Sequence, residues 1–239
     1  MIKLFEFVGR KRGMTSEDFH AYWRDQHAAF FSGTPAVRQL IQRYELNHRL
    51  PEDYVRTRHE TEFSGPEWDG VAVTWFNSLE DYRALQRLPE FIDFSARERA
   101  AFRADSNVSV LTQNATEIVD RPGGRARAEL KLLCILRRNA ALDRATFYPH
   151  WQNNHGGLFQ DIPELNEPVL GYDQNHGIDI DGATYDGVTE QWFESLPAWI
   201  DSLSAPANYE RVAPDVAYML DPNSIQFILA GKPTIVIGG

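Results

Sequence analysis

The sequence predicts an α+β chain built from two copies of a ferredoxin-like βαββαβ module. Three observations carry that prediction: an internal repeat, a shared order of apolar runs and amphipathic helices in each copy, and one breaker-rich stretch between the copies. The repeat appears when the chain is slid along itself. At an offset of 128, residues 2–48 align with 130–176 without a gap and eleven positions match, among them Trp23/Trp151, His27/His155, Tyr44/Tyr172 and His48/His176. Chance pairing at ordinary residue frequencies would give about two or three. The match resumes at an offset of 117, where residues 68–76 (WDGVAVTWF) lie on 185–193 (YDGVTEQWF). The change of offset makes the first copy's connecting loop, within 49–67, longer by 11 residues. Residues 120–128, DRPGGRARA, hold the Pro and Gly breakers of a linker, so the modules are expected at 1–120 and 129–239.

Each module opens on a short apolar run, Ile2–Val8 and Leu130–Leu136, read as the first strand. Thr15 with Asp18, and Asp143 in the second copy, supply N-caps for the helix that follows. Behind the first cap, Phe19, Tyr22, Trp23, Gln26, His27 and Phe30 fall on one helical face; Phe147, His150, Trp151, Asn154, His155 and Leu158 repeat it. A β-rich stretch ends at Tyr44–His48 or Tyr172–His176, and the next strand, Val71–Phe76 or Val188–Phe193, follows an Asp-Gly turn. Ser78 and Ser195 cap a second helix, over 79–88 and 196–203, and one final strand is expected over 108–119 and 225–237. With both helices on one face of an antiparallel sheet, the other face needs cover, and a second copy supplies it.

Composition narrows the classes of function. The formal charge is −10, with 34 acidic residues against 24 Lys and Arg, which disfavours nucleic acid and anionic membrane. No apolar run approaches the ~20 residues of a membrane span, and no export signal is read at the N-terminus, so a cytoplasmic protein is expected. A single cysteine, Cys134, excludes an internal disulfide and a cysteine-based zinc cluster. No glycine-rich nucleotide loop, zinc-protease motif or nucleophile elbow is present, and no His pair shows ligand spacing; neither cofactor nor metal is expected.

The pattern Phe-x-x-x-Trp-x-x-x-His, present as Phe19/Trp23/His27 and as Phe147/Trp151/His155, resembles the EthD family signature. So does the strand Asp-Gly-Val-x-x-x-Trp-Phe leading into a Ser-capped helix. The resemblance covers nearly all of both modules outside 49–67 and the linker. It implies the dimeric α/β-barrel fold, here as a pseudo-dimer in one chain. Its relatives include cofactor-free cyclases, lyases, decarboxylases, isomerases and small monooxygenases, so fold alone does not settle the reaction.

The candidate site residues follow from the two faces. His27 and His155 lie on the buried helix faces, either as structural histidines bonded to a carbonyl or carboxylate, or as general bases near neutral pH. Tyr44 with His48, and Tyr172 with His176, share a strand face, while Asn47 and Asn175 point the other way. Those faces either look at the helices or are wet strand ends. Val73 becomes Glu190 in the second copy, on the strand face of Val188 and Trp192, and the family resemblance supports an acidic residue there. Glu190 is either an exposed edge residue or a buried carboxylate facing His155. His150 replaces Tyr22 and adds a titratable group.

These residues are consistent with a cofactor-independent lyase-type enzyme, performing elimination, decarboxylation, cyclisation or isomerisation on a small aromatic or carbonyl-bearing substrate. In that reading His155, Glu190, Tyr172 and His176 are catalytic in the second module. His150, Trp151, Asn175 and Trp192, with His27, Tyr44 and His48 of the first, contact substrate. The alternatives are a cofactor-free monooxygenase of phenols and a non-catalytic binding protein. A small hydrophobic molecule is the expected partner, and association into a homodimer stays open.

Overall fold

The computed structural model of the chain describes residues 1–59, 68–105, 107–178, 180 and 183–238. They form two compact units, Met1–Leu111 with Pro233–Gly239, and Thr112–Lys232. In the first unit β1 (Ile2–Val8), β2 (Arg43–His48), β3 (Gly70–Phe76) and β4 (Val108–Gln113) make a sheet in the order β2-β3-β1-β4, the ferredoxin-like arrangement. Its helices are α1 (Ser16–Tyr22), α2 (Ala28–Gly33), α3 (Pro35–Leu40), α4 (Pro51–His59), α5 (Leu79–Arg87) and α6 (Pro89–Ala101). In the second unit β5 (Thr116–Asp120), β6 (Leu130–Leu136), β7 (Val169–His176), β8 (Gly187–Phe193) and β9 (Gln226–Ala230) lie in the order β5-β7-β8-β6-β9. There the helices are α7 (Gly124–Arg127), α8 (Arg144–Pro149), α9 (Gly156–Asp161), α10 (Pro163–Asn166), α11 (Leu196–Ser204) and α12 (Ala213–Met219).

The predicted caps are formed: Thr15, Ser78, Asp143 and Ser195 each accept from the backbone N–H three residues on. The single final strand expected in each module is corrected to two. Asn114-Ala115 and Gly231-Lys232-Pro233 break the runs, and Pro and Gly suit a strand interior poorly. After each break the chain pairs elsewhere: β5 joins β7 in the second sheet, and β10 (Thr234–Ile237) joins β2 in the first. Each unit thus has an outer strand supplied from beyond its own module, which caps the exposed hydrogen-bonding edge of β2 or β7. Of the 49–67 loop, 51–59 form α4 and 60–67 lie outside the described residues.

The signature helix is not a simple α-helix. Phe19, Trp23, His27 and Phe31 recur every four residues, whereas an α-helix would turn each ~40° past the last. A π-turn at Trp23–His27 absorbs the drift, with the amide of Ala28 donating to the Trp23 carbonyl. The second unit repeats this at His150–His155, with Gly156 donating to Trp151. All four residues of each set, ending at Phe31 and Phe159, are buried. The extra residue also corrects the predicted faces: Gln26 and Asn154 are exposed, and Phe30 and Leu158 only half-buried.

The Asp-Gly pair explains how helix and sheet meet. A Cβ on Gly70 would come 2.3 Å from the Trp23 ring, and one on Gly187 2.7 Å from Trp151, so only glycine lets each indole lie on its strand. The preceding aspartates accept from the backbone of Arg10 and Arg138, at 2.7 and 3.0 Å, and pair with their guanidinium groups. Since Gly187 faces Trp151, strand alternation puts Thr189 on the helix side and Val188, Glu190 and Trp192 on the opposite face.

Candidate functional site

In the first unit His27 is the centre of a closed network. Its Nδ1 lies 2.8 Å from Glu98 Oε2, and its Nε2 lies 2.7 Å from Tyr44 Oη. With Nδ1–H donating to the carboxylate, Nε2 is the lone-pair nitrogen and accepts from Tyr44. Tyr22 Oη donates to the other Glu98 oxygen at 2.7 Å. Burial and the Glu98 hydrogen bond push the Tyr22 hydroxyl up to about 12, and burial raises Tyr44. Phe31, Phe94 and Phe102 surround the imidazole, and Phe30 stacks on Phe94 at 3.9 Å.

The second unit keeps the dyad and opens it. His155 Nδ1 lies 2.8 Å from Asp215 Oδ2, and His150 Nε2 lies 2.6 Å from Asp215 Oδ1, so one carboxylate serves two imidazoles. Burial pushes the Asp215 carboxyl up, but the hydrogen bonds to His155 and His150 outweigh it together and hold it below the usual range. Asp215 is one methylene shorter than Glu98, and no hydrogen bond joins His155 to Tyr172 among the described residues. Tyr172 Oη instead accepts from Gln174 Nε2 at 3.0 Å, leaving His155 Nε2 without a partner among those residues. At an offset of 117, Phe94 is replaced by Arg211; at 128, Phe30 is replaced by Leu158. Where the first unit has an aromatic stack, the second has a cleft of about 500 Å³ lined by Asn153, Asn154, Leu158, Arg211 and Asp215.

The structure brings together His150 and His155 of the predicted set and joins them to Asp215. Glu190 is corrected as the partner of His155. It lies on the opposite sheet face, 2.7 Å from Lys131 Nζ, and accepts from Asn175 Nδ2 at 3.1 Å. Only 1% exposed, it is a buried ion-pair member, not an edge residue. Asn175 and Trp192 share that face and are likewise separated from His155; Lys131 lies 4.9 Å from the Trp192 ring. Val73 in place of Glu190 does not leave His27 without an acid, because Glu98 provides one.

Tyr172 and His176 do face the helices, as Tyr44 and His48 do, but four strand residues separate each pair by ~13 Å. His176 stacks between Tyr148 and Trp151, away from His155. His48 Nδ1 meets His20 Nδ1 at 2.9 Å, and His20 Nε2 meets Tyr54 Oη at 3.2 Å. Burial lowers both His48 and His176 to about 4, with the charge of His20 adding to the effect at His48. Trp151 is a packing residue between Phe147 and Gly187. Glu98 and Asp215 are the histidine-bonded carboxylates that the sequence pattern did not single out. Extending the 117 offset past residue 193 aligns them, an acid on an acid.

Among the described residues no group of three His, Cys, Asp or Glu side chains is arranged to hold a metal, and no helix is long and apolar enough to cross a membrane. The sequence pattern of the EthD domain matches residues 11–105 and again 139–223. No curated protein matches the chain. Solved structures share its fold over nearly its whole length at low identity. An anthrone oxidase-like protein aligns with a TM-score of 0.67 at 7% identity, covering 98% of this chain and 92% of its own. A candidate monooxygenase from Fusobacterium nucleatum subsp. nucleatum ATCC 25586 gives 0.56 at 10%, with the same coverage of 98% and 92%. A mutant chlorite dismutase from Candidatus Nitrospira defluvii gives 0.52 at 11%, covering 98% and 92%. The chain therefore has the ferredoxin-like fold of these proteins in two modules.

Proposed function

The chain belongs to the EthD family in both its halves, and on that premise we propose that its second unit performs acid–base catalysis on a small molecule. His155 is the proton-transferring group and Asp215 its orienting carboxylate. The observation that carries this reading is the state of one atom: Nε2 accepts from Tyr44 in the first unit, and its counterpart in the second has no described partner. A carboxylate on Nδ1 fixes the tautomer, leaves the lone pair on Nε2, and stabilises the imidazolium once a proton is taken. The cleft bordering Asp215 supports access to this cluster, and Arg211 is the cation there that would meet an enolate or phenolate oxygen.

The reaction class this favours is proton abstraction beside a carbonyl, leading to elimination, isomerisation, cyclisation or decarboxylation without a cofactor. A second reading is favoured by the names of two fold neighbours, an anthrone oxidase-like protein and a candidate monooxygenase: the same base deprotonates a phenol, which then reacts with dioxygen as co-substrate. The test is a panel of phenols and β-hydroxy-carbonyl compounds incubated with the protein under air and under nitrogen. Turnover in both atmospheres supports the lyase-type reading, and turnover under air alone supports the second. Binding without turnover in either would sink both and favour an accessory role.

A further inference from the structure

We infer that His150 is a positioning residue that governs how readily His155 takes up a proton, because the two imidazoles share the single carboxylate of Asp215. The inference deepens the proposed acid–base role of His155. Its basis is a geometry that the first unit lacks. Both Asp215 oxygens are engaged, one by His150 at 2.6 Å and one by His155 at 2.8 Å. In the first unit the position of His150 is held by Tyr22, which makes the equivalent hydrogen bond to Glu98 as a neutral hydroxyl. The hydrogen-bonding frame is thus common to both units, and the second titratable ring is peculiar to one.

Two bases on one acid cannot titrate independently. A proton on either imidazole compensates the Asp215 charge. The next proton then enters a site already carrying a cation, and a like charge nearby disfavours it. His150 is the more accessible ring, with 21% of its side chain exposed against 9% for His155. It can hold the compensating proton while His155 stays neutral and ready to accept one from a substrate. Other polar and charged groups lie on the elements packed around the pair. From α12, Tyr218 lies with its ring 4.9 Å from His150, and Asp215 itself is shared. From β7 comes Tyr172, whose hydroxyl burial keeps protonated; Asp161 of α9 and Arg211 border the cleft. None of these replaces a second imidazole on the Asp215 carboxylate.

The test needs no substrate. The histidine side chains of the full chain are labelled with nitrogen-15 and titrated by NMR through about pH 5–8, in the wild type and in His150→Gln, His150→Tyr and Asp215→Asn. His150→Tyr copies the first unit and keeps a hydroxyl for Asp215. His155 is expected to titrate over a broadened range in the wild type. In both His150 variants it should titrate in a single step, with its midpoint higher by about half a unit or more. Asp215→Asn should lower that midpoint. An unmoved His155 midpoint in folded His150→Gln and His150→Tyr would overturn the inference. Because the readout is proton binding, that failure is distinguishable from a failure of the catalytic reading, which shows only as absent turnover.

Discussion

The two units contain the same helix, the same π-turn and the same histidine on a carboxylate, and they differ in what surrounds that pair. In the first, Glu98 reaches far enough for His27 also to meet Tyr44, and Phe31, Phe94 and Phe102 close around the ring, with Phe30 stacked on Phe94. In the second, a shorter acid, Leu158 for Phe30 and Arg211 for Phe94 leave the corresponding Nε2 without a described partner. His27 and His155 are almost equally buried, at 6% and 7% exposed, so burial does not separate them. What separates them is whether the second nitrogen is already used. A duplicated module can keep one copy as a packed, hydrogen-bonded core and leave the other open through a few substitutions at the edge of the dyad.

The largest expected effect tests the closed half. Glu98 is 1% exposed and bonds both the buried His27 and the half-buried Tyr22, so Glu98→Ala leaves the buried Nδ1 of His27 unpaired and should cost about 3 kcal/mol. Asp215→Ala should cost about 1 kcal/mol, since Asp215 and His150 are only half-buried and water can replace the lost partner. Denaturant unfolding of the two variants measures the difference; equal losses would mean the two dyads are equally packed.

The next concerns pH and should affect both units alike. His48 and His176 bind a proton in the folded state only near pH 4, whereas the unfolded chain binds one near 6.5. Between those values the unfolded state holds more protons, so stability falls as pH drops from about 6.5 to 4 and is flat in this respect above it. Asp215, whose folded pKa is depressed, adds a loss in the same direction as pH falls through the carboxylate range. Unfolding midpoints across that range should decline, and His176→Asn should flatten the decline. A midpoint independent of pH in the wild type would contradict the burial of both rings.

The smallest effect on stability comes from rebuilding the first unit's stack in the second. Leu158→Phe with Arg211→Phe should raise stability by about 1 kcal/mol, the worth of an aromatic pair, while closing the cleft and lowering turnover. A stabilised double variant that retains full turnover would show that substrate does not use the cleft.

Much of the fold was legible because its signals are local. The first strands, the four caps and the ferredoxin-like order follow from apolar period and from Thr15, Ser78, Asp143 and Ser195. The exchange of β5 and β10 was not legible, since a strand's sequence does not name its partner. Glu98 and Asp215 escaped for a physical reason: α6 and α12 turn a carboxylate, buried in Glu98 and half-buried in Asp215, onto the face that apolar periodicity leads one to expect apolar. Glu190 misled for the converse reason, since a buried acid beside apolar neighbours looks catalytic until its partner, Lys131, is seen to neutralise it.

On the proposed function, the open dyad transfers protons and the closed one does not. The measurement that bears on it most directly is turnover of the first substrate found in the panel by His155→Gln, Asp215→Asn, His27→Gln and Glu98→Gln, each verified as folded by circular dichroism. A loss of about 100-fold or more is expected for the two second-unit variants, the usual scale for a positioned acid–base group, and less than about threefold for the two first-unit ones. Loss of turnover in folded His27→Gln, with His155→Gln still active, would contradict it.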